Sequence, residues 1–184
     1  MVSMYIQIFR TKNIERRVLE EVASCIHNIF SSAEVEIVDY YIELPNTIFD
    51  ERRKQYLADA VVYHLYKYKN FTAIAIILAE FDAYIKGLNF VFGLAIPHLK
   101  SAAVFLPRLD GLVSTPLFIE RVKKETIHEL GHLLGLKHCT TTGCVMNFSN
   151  SVSEVDKKSI KFCRRCMKLL ENQGYRVNTE YILE

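Results

Sequence analysis

This 184-residue sequence lacks any apolar run approaching the roughly 20 residues needed to cross a bilayer. The longest, Phe71 to Ala79, has the length of a strand. No charge of one sign dominates, and a net charge of +2 is too mild to mark a nucleic-acid binder. Internal repeats, charge blocks and low-complexity segments are missing. The N-terminus, MVSMYIQIFR, has no basic segment, no following apolar core and no small-residue cleavage site. No signal peptide is therefore expected, and a cytoplasmic location is. What is present suffices for a core. Half of the residues are hydrophobic, which excludes disorder as the main character. A chain of this length buries roughly 70% of the surface it would expose unfolded.

Periodicity gives a coarse architecture. Met4 to Phe9 is rich in β-formers, and Ile14, Val18, Val22, Ile26 and Ile29 recur at helical spacing. Val35, Ile37 and Tyr41 mark a second strand, broken by Pro45-Asn46. A helix is expected from about Asp50 to Lys69, with Leu57, Val61 and Leu65 on its apolar stripe. Phe71 to Ala79 is apolar on both faces, as a central parallel strand is. The order β-α-β-α-β predicts a mostly parallel sheet. Asn89 to Ile96 and Ala102 to Leu106 are two further strands. The hairpin-sized Pro97 to Lys100 between them makes one antiparallel. A helix is expected from Leu117 to Leu134 with Pro116 in its first turn. Ser153-Glu154-Val155-Asp156 resembles a capping box starting a last helix to about Glu171, with Gly174 as its stop. The fold class expected is α/β: a mixed, mostly parallel twisted sheet with an antiparallel edge strand and helices packed on it.

The stretch HELGHLLGLKHC, His128 to Cys139, carries the chemistry. Positions i and i+4 share a helix face, so His128 and His132 can reach one ion. Neutral imidazole nitrogen suits Zn²⁺. Glu129 is one residue too far round to join the ligand row, but it can flank the metal and hold a water. Gly135 permits positive φ, so the helix can end sharply and the chain can return a third imidazole, His138. Three protein ligands leave one position open, the pattern of a catalytic site. With this chain's residue frequencies, the five-residue pattern arises by chance on the order of once in 10⁵ such chains. Four of the five cysteines follow at once: Cys139-x₄-Cys144 and Cys163-x₂-Cys166. In a reducing compartment such pairs hold metal rather than disulfides. Four thiolates close a tetrahedral shell, a structural Zn²⁺ with no open position. Two zinc ions per chain are therefore expected, coupled through the His138–Cys139 peptide.

The pattern H-E-x-x-H-x-x-G-x-x-H followed by Met146, within CVMNF, looks like a metzincin. HCTTTGCVMNFSNS with Cys163-Arg164-Arg165-Cys166 sharpens the resemblance to the archaemetzincins, and Phe90-Val91-Phe92-Gly93 is similar to that family's edge-strand segment. The resemblance implies an intracellular zinc metallopeptidase of a minimal scaffold, cleaving an extended peptide laid antiparallel to a strand near Phe90 to Ala95. Glu129 is the implied general base. Some metzincins carry a tyrosine two residues after the turn methionine; here that residue is Phe148, so no phenol is available there. One metallopeptidase domain is expected over residues 1–184. It divides into an N-terminal part, 1–135, ending in the active-site helix, and a zinc-stapled C-terminal part, 136–184.

Two other functions stay open on the residues alone. One is a non-catalytic zinc-stabilised peptide-binding module. The other is a zinc ribbon for nucleic acid, disfavoured because basic and aromatic residues near Arg164 and Arg165 are sparse. The partners expected are a peptide substrate, short or flexible, with no nucleic acid and no membrane, and the chain is expected to be a monomer. Only Met1 to Ser3 precede the first expected strand, and Tyr175 to Leu183 reads as a strand or packed segment. No intramolecular pro-segment is expected. Cys25 reads as a core residue, and His27, His64 and His98 have no ligand partner at metal spacing. Asp82 and Tyr84 follow the third strand, where α/β sheets often meet ligands, and are weaker candidates for lining the cleft. Tyr63, Tyr66 and Tyr68 are read as helix-packing residues.

Overall fold

A computed structural model describes residues 3–184. Alternating apolar residues build β1 (Met4–Arg10), and the helical stripe that follows builds α1 (Arg16–Ile29) before β2 (Ala33–Tyr41). Two short strands come next, β3 (Phe49–Asp50) and β4 (Gln55–Leu57), then α2 (Ala58–Tyr66) and the central β5 (Ile74–Ala79). After β6 (Ala83–Tyr84) the hairpin β7 (Gly93–Ile96) and β8 (Ser101–Phe105) completes the main sheet. Its order is β2-β1-β5-β8-β7. The first four strands are parallel, and β7 runs antiparallel to β8 at the edge.

The two faces of β5 show why the sheet needs helices on both sides. Ile74, Ile76 and Leu78 point into a core shared with α1 and with α4 (Thr115–Leu133). Ala75, Ile77 and Ala79 point into a second core beneath α2. That second core also takes residues of a small sheet, order β3-β4-β6. A short α3 (Pro107–Asp110) leads into α4, and two helices follow it, α5 (Val152–Lys157) and α6 (Arg164–Asn172). The C-terminal stretch adds no separate core: Cys144, Met146, Phe162 and Cys166 belong to the same buried cluster as α1 and α4. Among the described residues no helix is long and apolar enough to cross a membrane.

Polar contacts dock α5 onto α4. Arg121 forms a two-pronged pair with Asp156, at 2.7 and 2.8 Å, and donates to the Leu109 carbonyl at 2.8 Å. Lys124 donates to the Val155 and Asp156 carbonyls at 3.4 and 3.3 Å. Glu125 meets Lys158 at 2.8 Å.

Several elements differ from the periodicity. The helix expected from Asp50 is confined to Ala58–Tyr66. Upstream, the Asp50 carboxylate accepts from the Arg52 and Arg53 amides at 3.0 and 3.1 Å, closing a turn where Lys54 takes φ +56°. That side chain competes with the helix backbone for its own amides, and buried Gln55 and Tyr56 pair into the small sheet instead. The strand expected from Asn89 starts only at Gly93. Arg53 and Gln55 each donate to the Asn89 carbonyl at 3.0 Å, holding the preceding segment out of the ladder. The last helix is two helices, because 158–163 runs extended beneath the methionine turn, with the Val145 amide on the Lys161 carbonyl at 2.8 Å. The capping residue is Ser151, not Ser153: its side chain accepts from the Glu154 amide at 3.3 Å. Tyr63 and Tyr66 on α2, and Tyr68 just beyond its end, lie exposed rather than packed. The C-terminal tail is packed, not a full strand: one bridge joins Phe162 to Ile182, and Asn178 donates to the Ile29 carbonyl at 2.9 Å.

The cap assignment is checkable. Ser151→Ala should cost about 1 kcal/mol of stability by urea denaturation and Ser153→Ala almost nothing. Equal losses would contradict it.

Candidate active site and metal centres

α4 presents His128 and His132 on one face, and the helix ends two residues before Gly135, whose φ is +90°. The Leu136 amide turns back to the Gly131 carbonyl at 2.9 Å, and this reversal carries His138 to the other two imidazoles. One ring nitrogen of each lies within 4.8 Å of those of the other two. His128 Nδ1 meets the Val145 carbonyl and His132 Nδ1 the Leu136 carbonyl, each at 2.8 Å. A carbonyl only accepts, so both Nδ1 atoms carry the proton and both Nε2 lone pairs are free. Those two Nε2 atoms are 3.1 Å apart. Burial is the main cause that holds all three imidazoles below the usual histidine range, His128 furthest. They are therefore poised as neutral donors.

The four cysteines converge as a second group. Cys139 and Cys163 sulfurs are 3.7 Å apart, Cys144 and Cys166 sulfurs 3.8 Å. Zinc–thiolate bonds of about 2.3 Å at tetrahedral angles put sulfurs roughly 3.8 Å apart, so the cluster fits zinc. Backbone amides of Thr141, Cys163 and Cys166 point at Cys139, Cys144 and Cys163 sulfurs at 3.3–3.5 Å, as thiolates require. A hydrogen bond with Cys166 lowers Cys144 to about 5, and the same bond raises Cys166. Cys163 is the cap of α6, not part of the helix as its spacing suggested, and Cys166 lies in the first turn. Cys25, buried in the core, stays out of the cluster, and burial pushes its thiol up to about 12.

Between the imidazoles and the sheet edge lies a cleft of about 750 Å³, bordered by Gly93 to Ala95, His128, Glu129, His132, His138 and Phe148. Among the described residues β7 pairs with β8 alone, so no strand covers its other edge, which faces this cleft. Glu129 is buried against that strand: a Cβ on Gly93 would sit 2.5 Å from its Oε1. Burial, then the neighbouring Glu125 charge, raises the Glu129 carboxyl well above the carboxylate range. Met146 packs against α4, and a Cβ on Gly131 would collide with its sulfur. Neither glycine stands out as a site residue from the motifs. Gly131 carried a signal, since a glycine inside a helix costs stability and implies a close approach. Gly93 carried none beyond its place in the edge segment. Phe148 packs on His138 at 4.9 Å between ring centres.

Asp82 and Tyr84, the weaker candidates, do not border the cleft. Asp82 accepts both prongs of Arg108 at 2.7–2.8 Å, Tyr84 donates to Asp50 at 2.9 Å, and Arg108 lies 4.2 Å over the Phe90 ring. They support the rim. His27 and His64 meet the carbonyls of Ala33 and Glu43, and among the described residues neither they nor His98 join a donor cluster.

A helix-borne histidine pair, a returning third histidine, a glutamate between metal donors and a free strand edge together define a metal-dependent peptidase. Comparison with known proteins agrees. Residues 1–172 match the profile of Peptidase family M54. An archaemetzincin of Saccharolobus solfataricus is 44% identical over 179 residues, covering 93% of this chain and 95% of that protein. The crystal structure of the Methanopyrus kandleri archaemetzincin superposes with a TM-score of 0.85 at 35% identity, covering 93% of this chain and 95% of that one. A zinc-dependent peptidase of Methanocorpusculum labreanum does so at 0.78 and 28% identity, covering 90% of this chain and 99% of that one. The chain belongs to peptidase family M54, the archaemetzincins, and is a zinc metallopeptidase.

Gly131→Ala should force Met146 aside and cost about 1–3 kcal/mol, an overpacking penalty read from thermal or urea unfolding. A neutral result would mean the methionine is loosely held.

Proposed function

We propose that the enzyme hydrolyses peptide bonds in extended chains laid along the free edge of β7, with zinc on His128, His132 and His138 and with Glu129 as general base. The observation carrying this is the place of Glu129: its carboxylate is wedged between the imidazole cluster and the strand that would hold the substrate. When bound, zinc supplies Lewis acidity that polarises the scissile carbonyl and acidifies a water. The backbone of Gly93 to Ala95 orients the substrate by strand addition. Glu129 takes a proton from the attacking water and returns it to the leaving amine nitrogen as the C–N bond breaks. His128 and His132 keep their Nδ1 protons on Val145 and Leu136, which fixes the ring planes. A segment laid extended in this cleft must first leave its own fold, so short or flexible peptides are the substrates. Cys139, Cys144, Cys163 and Cys166 hold a second, structural zinc, two ions per chain.

Glu129→Gln should lower kcat by about 10²–10⁴ while leaving zinc content unchanged. Loss of zinc alongside activity, or retained turnover, would remove the role given to Glu129. Cys163→Ser should lower the melting temperature much more than His138→Ala, because a closed shell of thiolates contributes folding energy directly. Equal shifts would contradict the division into structural and catalytic sites, as would elemental analysis finding one zinc.

A further inference from the structure

The three imidazoles are not held alike. His128 and His132 each have a ring hydrogen bond to a carbonyl. Among the described residues no hydrogen bond to the His138 ring is found, and His138 is the exposed member of the trio. Metal-binding histidines usually have such a partner, because it sets the ring plane. The place of His138 must then come from its backbone and from Phe148 packed on its ring.

That backbone is tied down through Asn147. The Asn147 side-chain amide donates to the Cys139 carbonyl at 2.7 Å and to the Thr141 carbonyl at 2.9 Å. The Cys139 amide in turn donates to the Met146 carbonyl at 2.9 Å. Asn147's own carbonyl accepts from Lys158 Nζ at 3.3 Å. Lys158, its side chain 1% exposed, is paired with Glu125 Oε1 at 2.8 Å. Glu125 sits on α4 one turn before Glu129. A continuous path of polar contacts therefore joins the helix carrying the first two histidines to the peptide carrying the third.

We propose that the Glu125–Lys158 ion pair is a positioning pair that holds His138 in register with His128 and His132, acting through Asn147. The inference rests on those histidines holding zinc. Burying both charges is costly, and an apolar pair of like volume is often as stable. Docking of the 155–158 segment does not need the pair either, since Arg121 and Lys124 already bind its outer end. What an apolar pair could not do is donate to the Asn147 carbonyl, and what an unpaired lysine could not do is stay buried there.

The test is zinc release from the zinc-loaded protein into excess chelator, followed with a chromogenic indicator. Wild type should release a fast fraction from the imidazoles and a slow one from the thiolates. Lys158→Met should accelerate the fast phase by about ten- to a hundredfold and leave the slow phase within about threefold. Asn147→Ala, a change at a half-buried position, should do the same and decides the question if Lys158→Met does not fold. With zinc saturating, kcat should fall by about tenfold or more with KM within about twofold, since the misplaced group acts on chemistry rather than on strand binding. An unchanged fast phase in the folded variants, or equal acceleration of both phases, would overturn the positioning role. A wild-type protein with no fast phase would instead remove the assignment of zinc to the histidines, and this inference with it.

Discussion

The peptide bond between His138 and Cys139 carries one donor of each cluster, and most of the C-terminal architecture answers to that constraint. Adjacent Cα atoms are about 3.8 Å apart, so neither cluster can shift without displacing the other. The four-cysteine group gathers a loop, the methionine turn and the cap of α6 into one knot. The imidazole group is thereby held from behind. The buried cluster containing Cys144, Met146, Phe162 and Cys166 explains why that stretch needs no core of its own.

The second constraint is electrostatic. α4 buries Arg121, Lys124, Glu125, His128 and Glu129 along 19 residues, an unusual load of polar groups for a core helix. Each has an identifiable partner or an open side: Asp156, backbone carbonyls, Lys158, Val145, and the cleft. Buried carboxylates one helical turn apart would repel if both were charged, and Lys158 lies against the one further from the metal donors. The same low-dielectric surroundings that make these groups costly strengthen the interactions a reacting peptide would meet.

The helices and strands that depend on local periodicity were legible from residues alone: β1, α1, β8 and α4 lie close to their expected spans, and β7 runs antiparallel to β8 as expected, though shorter. Departures occurred where a side chain overrode the backbone pattern. Asp50 captures two amides and splits an expected helix into strands and a shorter helix. Ser151 caps α5 two residues early, and 158–163 leaves the helix to run under the methionine turn.

Spacing was enough to group the donors. An i,i+4 histidine pair on a helix, a glycine that can take positive φ, and two cysteine pairs are short-range facts, settled within a turn or two of backbone. Which long-range neighbours they meet is not encoded in spacing. That Glu129 rests on Gly93, that Met146 fills the space above Gly131, and that Lys158 reaches Glu125 all involve residues 15 to 36 positions apart in the sequence. Such contacts depend on how sheet, helix and cysteine knot stack, because close packing admits a side chain only where every neighbour leaves room for it.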